Sequence, residues 1–317
     1  MVILWLATLA VRGEEPLRLE SSLDAMGSTF TIVAYGRDRV RLQATVEHAF
    51  EEVRRLDSLL SNYKPRSEWS LVNLEAASKP VRVSPELFRL LEACVEYSRS
   101  TEGTFDITVG PLVRVWGFFK GSGRLPHRAE IRTAAAGVGY RHLALDRETL
   151  TVRFRRPGME IDPGGIGKGY AIDRVADLLR QAGIESALIS AGGSSIYGLG
   201  APPGEPGWKV RIKHPREAFR TVGELTLRDE SMSTSGSYEK FFVAGGRMYS
   251  HIFDPRTGYP ARGTASVSVV APRTLDSEAW TKPVFIQGRQ WARKRQPKGF
   301  RIFLCEDRAE LACAWLQ

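Results

Sequence analysis

Apolar residues recur along this chain at two spacings, and the switching between them predicts a mixed fold. Val46, Phe50, Val53, Leu56 and Leu60 step by four, three, three and four, which puts one apolar stripe on one side of a helix. Leu87, Leu90, Leu91, Cys94 and Val95 repeat that pattern. Ser84-Pro85-Glu86 supplies its start: a capping hydroxyl, a proline whose missing N–H is not needed in the first turn, and an acid at the positive end of the helix. Gly103 closes the segment. A third helix is predicted from GYAIDRVADLLRQAG, with Ile172, Val175, Leu178 and Leu179 on one face and Gly183 as the stop. Between these lie β-branched and aromatic runs that predict strands: Ser28–Tyr35, Ser186–Ser190 closed by Ala191-Gly192-Gly193, Trp208–Lys213, Gly223–Leu227, Ala265–Ala271 and Phe300–Cys305. Leu143 to Phe154 predicts a hairpin around Asp146-Arg147. Strands and helices mix along the whole chain without a long linker, so the fold class expected is α+β, one unit with sublobes.

Composition narrows this only slightly. With 317 residues and 43% hydrophobic content the chain can bury a sizeable core. The net charge of +9 suits an anionic ligand without identifying one. The densest basic run, RQWARKRQPK from Arg289 to Lys298, reads as a solvated helix face; no zinc-finger spacing or RNP motif accompanies it, and no nucleic-acid partner is expected. Cys94, Cys305 and Cys313 form no CxxC pair; Cys94 falls on an apolar helical face, and the odd count predicts no disulfide framework. The chain starts apolar from Val2 to Val11, too short to span a bilayer. Residues 1–20 are read as a remnant signal segment, with Thr8-Leu9-Ala10 a poor cleavage match, no charged n-region and no lipobox cysteine. That reading places the protein in the periplasm or at a membrane through its N-terminus; without a signal it is cytoplasmic. Residues 21–317 form the domain.

Three segments carry candidate chemistry. In DPGGIGKG, Gly164, Gly165, Gly167 and Gly169 precede a helix whose exposed N–H groups favour anions, and Lys168 adds a charge. The spacing is neither a Walker loop nor a dinucleotide fingerprint, and taken alone such a glycine-rich stretch is more often only a turn, with Asp162 as a plain turn-former. HIFDPRTGYP offers His251 as a group able to move a proton near neutral pH, with Asp254, Arg256 and Thr257 following; a hydrogen-bonded loop punctuated by Pro255 and Gly258 is the alternative. STSGSYEKFF, from Ser233 to Phe242, can line a ligand with small hydroxyls, Ser235 among them, or make a β-turn.

These segments stand in a telling order. AMGSTFTI, SNYKPRSEWSLVN, FDITVGPLVRVWGF, DPGGIGKGYAIDR, ISAGGSSIYGLG, STSGSYEKFF and YSHIFDPRTGYP together resemble the FAD:protein FMN transferase (ApbE) family, from about residue 24 to about residue 305. The resemblance implies a single ApbE-like, T-fold-like domain of mixed sheets and helices with a deep FAD cleft. It implies an enzyme that cleaves the FAD pyrophosphate with Mg²⁺, joins FMN to a Ser or Thr of an acceptor protein, usually an electron-transfer subunit, and releases AMP. Some members hydrolyse FAD instead. By the same resemblance DPGGIGKG is the pyrophosphate cradle with Lys168 as its lysine, and Asp106 and Asp162 are acidic positions around the cleft. Met26 and Tyr63 would cover the flavin. His251 would be the general base, with Asp254 and Thr257 completing its loop.

The chain departs from the family at the metal. The family takes Mg²⁺ with a backbone carbonyl of the glycine loop, here at Gly167, and with an Asp and a Thr in a later helix. Glu278 stands at the Asp position and Lys282 at the Thr position. Glutamate keeps an oxygen ligand; an ammonium has donors only and repels a cation. Asp276 or Thr281 could substitute only with a shifted backbone, and Pro283 disfavours helical geometry at Lys282. Three readings follow: Lys282 neutralises the pyrophosphate itself, the protein binds FAD without efficient transfer, or Glu278 and Lys282 are an inert helical pair. Ser194 and Ser237 replace residues that are often acidic in the family.

Overall fold

The computed structural model describes residues 15–119 and 121–316. Strands β1 (Leu17–Ala25) and β2 (Ser28–Gly36) form a hairpin closed by Met26 and Gly27, whose φ angles of 52° and 67° are both left-handed, as a two-residue turn between twisted strands demands. Of the expected leader 1–20, Leu17–Glu20 pair within β1, while residues 1–14 lie outside the described residues. Helix α1 (Arg39–Leu60) is capped by Asp38, which accepts from Arg41 N at 3.1 Å, and it buries the predicted stripe. Then come α2 (Glu68–Glu75), β3 (Val81–Arg82) and α3 (Pro85–Ser100), the last capped by the Ser84 hydroxyl as its sequence predicts. Helices α4 (Gly110–Val115) and α5 (Arg128–Ala136) lead to β4 (Leu143–Asp146) and β5 (Thr151–Phe154). That hairpin turns over Arg147–Leu150 rather than tightly around Asp146-Arg147, with Leu150 at φ 52°.

The second half opens with α6 (Gly167–Gln181), followed by β6 (Ser186–Ala191), β7 (Ser195–Leu199), β8 (Trp208–Lys213), β9 (Thr221–Leu227) and β10 (Glu230–Gly236). Two short hairpins follow, β11 (Phe241–Ala244) with β12 (Arg247–Ser250), and β13 (Phe253–Asp254) with β14 (Tyr259–Pro260). Then β15 (Thr264–Ala271), α7 (Thr274–Arg295), β16 (Arg301–Glu306) and β17 (Ala312–Trp315) complete the chain.

The core of the molecule is an eight-stranded antiparallel sheet in the order β1-β2-β6-β7-β10-β15-β16-β17. Period-two alternation divides its two faces. Phe30, Ile32 and Ile189 face α1 and α6, and Val267, Val269, Ile302 and Leu304 face α7. Val33, Ile196 and Met232 point the other way, against the β8–β9 hairpin with Trp208 and Val210. The α+β expectation holds. No helix among the described residues is long and apolar enough to cross a membrane.

Two expectations fail for instructive reasons. Pro283 does not break α7; the helix runs through Lys282 and Pro283 and kinks at Gly288, with φ 75° and ψ −171°. Val284 and Phe285 are buried beneath the sheet, and that packing outweighs one lost backbone bond. Cys305 and Cys313 are disulfide-bonded across the β16–β17 pair, which the odd cysteine count hid; Cys94 is free and buried as expected.

Candidate active site

A cavity of about 370 Å³ opens where the β1–β2 turn, the glycine loop before α6, the end of β10, the residues before β13 and one side of α7 meet. The glycine loop is held from below. Asp162 donates its N–H to Ile107 O at 2.7 Å, its Oδ1 accepts from Gly164 N at 2.8 Å, and its Oδ2 accepts from Asn62 Nδ2 at 2.8 Å. Asp162 is thus the turn-former of the loop as well as part of the cavity wall. Burial pushes its carboxyl above the usual range, against the pull of the Gly164 N–H. Asp106 also reaches the wall, but its carboxylate is spent on the scaffold: Oδ1 takes Thr108 N and Oγ1, and Oδ2 takes Tyr140 N at 2.8 Å.

Above the loop sits Met26, anchored by its N–H to Asp57 Oδ1 at 3.0 Å. Its methyl lies 3.2 Å from where a Cβ on Gly167 would be, so a side chain there would have to push it aside by a few tenths of an ångström. Tyr63, in the cavity wall, stacks on Phe119 behind it with ring centroids 4.9 Å apart, and Arg114 lies over the Phe119 ring at 3.7 Å. This gives a flat aromatic edge at the mouth, suited to a fused-ring ligand.

Charge converges on the cavity. Lys168, in the first turn of α6, donates to Ser194 Oγ at 2.5 Å. Lys282 donates to the backbone carbonyl of Glu278 at 3.1 Å, while Oε2 of the Glu278 carboxylate, also in the cavity wall, accepts Gly169 N. Burial pushes Lys282 down to about 8, with Glu278 opposing the shift and Lys168 adding to it. Lys240 completes the set. Among the described residues none of these three ammonium groups has a carboxylate in an ion pair, although all three line one cavity.

His251 faces them. Its Nδ1 lies 3.1 Å from the carbonyl of Lys240, and a carbonyl can only accept. Nδ1 therefore carries the proton, and Nε2 is left as the acceptor. Burial pushes this ring down to about 4, helped by the nearby Lys240, Lys282 and Lys168 ammonium groups, so it is neutral at physiological pH.

The rest of the HIFDPRTGYP segment does not reach the cavity, apart from Ile252, Phe253 and Pro255. Asp254 and Arg256, expected beside the base and the phosphate, pair with each other: Arg256 Nε and Nη2 meet Oδ1 and Oδ2 at 2.9 and 2.8 Å. Thr257 Oγ1 takes Tyr259 N at 3.3 Å. These three build the tight turn between β13 and β14, and Arg256 Nη1 also ties it to α7 by donating to Gln287 Oε1 at 3.1 Å. Ser235 is in the wall, though its hydroxyl donates to Thr281 Oγ1 at 2.8 Å. Ser233–Gly236 proves to be strand β10, with the turn only after it.

A profile of the ApbE family matches residues 26–301. The chain belongs to the ApbE family. It is 35% identical over 262 residues to an FAD:protein FMN transferase of Klebsiella pneumoniae, covering 82% of this chain and 79% of that one. A second, from Salmonella typhimurium, is 32% identical over 301 residues, covering 92% and 85%. Among solved structures, the ApbE protein of Thermotoga maritima superposes with a TM-score of 0.86 at 30% identity, covering 93% of this chain and 96% of its own. The flavin transferase ApbE of Vibrio cholerae gives 0.83 at 25%, covering 95% and 96%.

Against the ApbE pattern, the glycine loop, Lys168, Met26, Tyr63 and His251 meet in one cavity, while the metal position does not fit a divalent cation. Gly167 is buried as the first residue of α6 and is not in the cavity wall. Asp276 accepts from the Tyr97 hydroxyl, and the Thr281 hydroxyl is enclosed between Ser235 and Glu278 O. Glu278 is left as the single carboxylate beside an ammonium. No group of three His, Cys, Asp or Glu residues able to hold a metal occurs among the described residues. The Glu278–Lys282 contact is not the side-chain ion pair that helical spacing offers either, since Lys282 bonds the main chain. Asn62, Lys240 and Phe119 were not foreseen. Asn62 and Lys240 lay inside segments already singled out, but nothing in their spacing separated them from neighbouring polar residues.

Proposed function

We propose that this chain is an FAD:protein FMN transferase, which moves FMN from FAD to a Ser or Thr hydroxyl of an acceptor protein and releases AMP. The observation that carries the reading is the neutral His251 with Nε2 free to accept, in one cavity with a glycine loop and three lysines. Phosphoryl transfer asks for positioning and charge neutralisation more than for covalent help. The loop and the lysines bind the diphosphate. The Tyr63–Phe119 edge and Met26 receive the isoalloxazine ring. His251 takes the proton of the acceptor hydroxyl as that oxygen bonds the flavin-side phosphorus; the bond from this phosphorus to the bridging oxygen breaks, and that oxygen leaves with AMP. The noncatalytic FAD-binding reading is disfavoured by the desolvated imidazole, which storage alone does not require.

The acceptor is read as an electron-transfer protein, and the site of action as the periplasm or the membrane surface. The Cys305–Cys313 disulfide supports an oxidising compartment, as does the apolar start of the chain. The test is in-gel flavin fluorescence under denaturing conditions, after incubating the chain with FAD and an acceptor protein modified by another ApbE-family transferase. A fluorescent acceptor band is expected with the parent and not with His251→Ala. An acceptor that stays dark while the chain binds FAD would sink the reading.

A further inference from the structure

Lys282 sits on the glycine loop itself. Its Cε is 3.3 Å and its Nζ 3.8 Å from the point where a Cβ on Gly165 would stand. One N–H goes to Glu278 O at 3.1 Å, which leaves two of the ammonium's three donors for something else. No carboxylate among the described residues is in ion-pair contact with it; the Glu278 charge offsets its burial only in part, and an ammonium withdrawn from water in this way is costly. Lys168 approaches the same space from the first turn of α6. Few oxygens from α7 are left for a cation: Asp276 is engaged with Tyr97 and Thr281 with Ser235, and of the Glu278 carboxylate, which lines the cavity, Oε2 accepts Gly169 N. A cation placed there would meet a single carboxylate and an ammonium, short of the roughly six oxygens it requires, whereas a diphosphate would meet two ammonium groups and a helix N-terminus.

We infer that Lys282 takes the place of a divalent cation at the diphosphate, so that this chain binds and cleaves FAD without a metal. The inference rests on the transferase reading for its chemistry. As the acceptor oxygen, or water in its absence, bonds the flavin-side phosphorus, Lys282 and Lys168 donate to the diphosphate oxygens. The electron pair of the broken P–O bond leaves with AMP, and the nucleophile's proton goes to His251 Nε2. Nothing is oxidised or reduced.

The experiment measures AMP release from FAD in EDTA and in Mg²⁺, beside FAD, ADP and riboflavin binding followed by fluorescence and calorimetry. The parent should release AMP at rates within about twofold in the two buffers, and Lys282→Met should lose roughly 100-fold in both, the usual cost of one charge-stabilising donor. In EDTA, Lys282→Met should bind FAD and ADP about tenfold more weakly, a loss of about 1.4 kcal/mol, and riboflavin unchanged. Lys282→Arg should keep most of the binding, and melting curves establish that each variant is folded. Parent activity or FAD binding that collapses in EDTA and returns with Mg²⁺ would overturn the inference, as would Lys282→Met binding FAD and ADP like the parent. If the parent releases no AMP in either buffer even with the acceptor protein present, the transferase reading fails, and the binding measurements still decide the role of Lys282.

Discussion

The imidazole of His251 and the carbonyl of Lys240 are joined at 3.1 Å through Nδ1, which fixes the tautomer and leaves Nε2 as the proton acceptor. Removing the ring should cost about 10²–10⁴ in transfer rate, the usual contribution of a general base, with FAD affinity unchanged within a few-fold. Rate and binding measured on His251→Ala check this. The pH dependence has a definite sign. A base works unprotonated, and burial holds this ring at about 4, so activity should persist through pH 5 and fall only near pH 4. Once unfolded the ring titrates near ~6.5, so the unfolded chain binds more protons between that value and 4. Stability contributed by the neutral ring is therefore complete above about 6.5 and declines as the pH falls towards 4. An activity limb centred near 6.5 would show that the ring is not desolvated in solution.

The helices and the inner strands were legible because their signals are local. The stripe of α1, the Ser84 cap and the run of β15 each follow from a spacing or from one residue's hydrogen-bonding habit. The glycine loop and His251 were legible only through the order of the segments around them, which resembles the ApbE family; taken alone, the loop reads as a turn and the histidine segment as a hydrogen-bonded loop just as well. What failed was long-range. The scaffold role of Asp106 depends on Tyr140, thirty-four residues away, and the pairing of Cys305 with Cys313 depends on a strand, β17, with only a weak pattern. The helicity of Lys282 and Pro283 is imposed by burial against the sheet, which no propensity encodes.

The Asp254–Arg256 pair should matter less than its place in a family motif implies. Both groups sit in the β13–β14 turn and outside the cavity wall, and the arginine is about half exposed. We expect Arg256→Ala to cost less than about 1 kcal/mol of stability and to change the transfer rate by less than about threefold. Asp254→Ala should cost somewhat more, because Oδ1 also accepts Arg256 N at 3.0 Å. Urea titration and steady-state rates on the two variants separate this from a catalytic role, which would cost orders of magnitude.

Glu278 should prove structural. It is 3% exposed, and its Oε2 accepts the N–H of Gly169 in the opening turn of α6. Glu278→Ala leaves that N–H unpartnered and should cost about 1–3 kcal/mol, whereas Glu278→Gln keeps an acceptor and should cost less. Gly169→Ala tests the same contact from the other side. An added Cβ would stand 2.6 Å from Thr274 O and 2.7 Å from Glu278 Oε2, and the overpacking should cost roughly 1–3 kcal/mol. Denaturant midpoints measured with and without Mg²⁺ check both; stabilisation by Mg²⁺ that Glu278→Gln abolishes would make Glu278 a ligand after all.

The disulfide between Cys305 and Cys313 ties the edge strand β17 to β16. It closes a short loop, so its effect should fall at the low end of the usual range, about 2 kcal/mol. Cys313→Ser, or reduction of the parent, should lower Tm by several degrees without altering FAD binding, because neither cysteine is in the cavity wall. Thiol counting on the unfolded chain before and after reduction should give one free thiol and then three, the one being Cys94, which is buried in the fold.

Asp173 links the packing of two helices to the geometry of the site. It projects from α6 with 6% exposure, and its two oxygens accept Thr274 N at 2.7 Å and Leu275 N at 3.0 Å. It is thus the cap of α7, supplied by another helix because the α7 sequence starts with no capping side chain of its own. Since α7 carries Glu278 and Lys282 and α6 carries Lys168, this cap sets how the cationic groups face one another. Asp173→Ala should lose about 1–3 kcal/mol of stability. It should also weaken FAD binding severalfold although Asp173 touches no part of the cavity. Asp173→Asn, which keeps one acceptor oxygen, should recover part of both. Melting curves and FAD titration on the two variants, read together, decide the matter: lost stability with unchanged FAD affinity would mean that α7 holds its position without the cap.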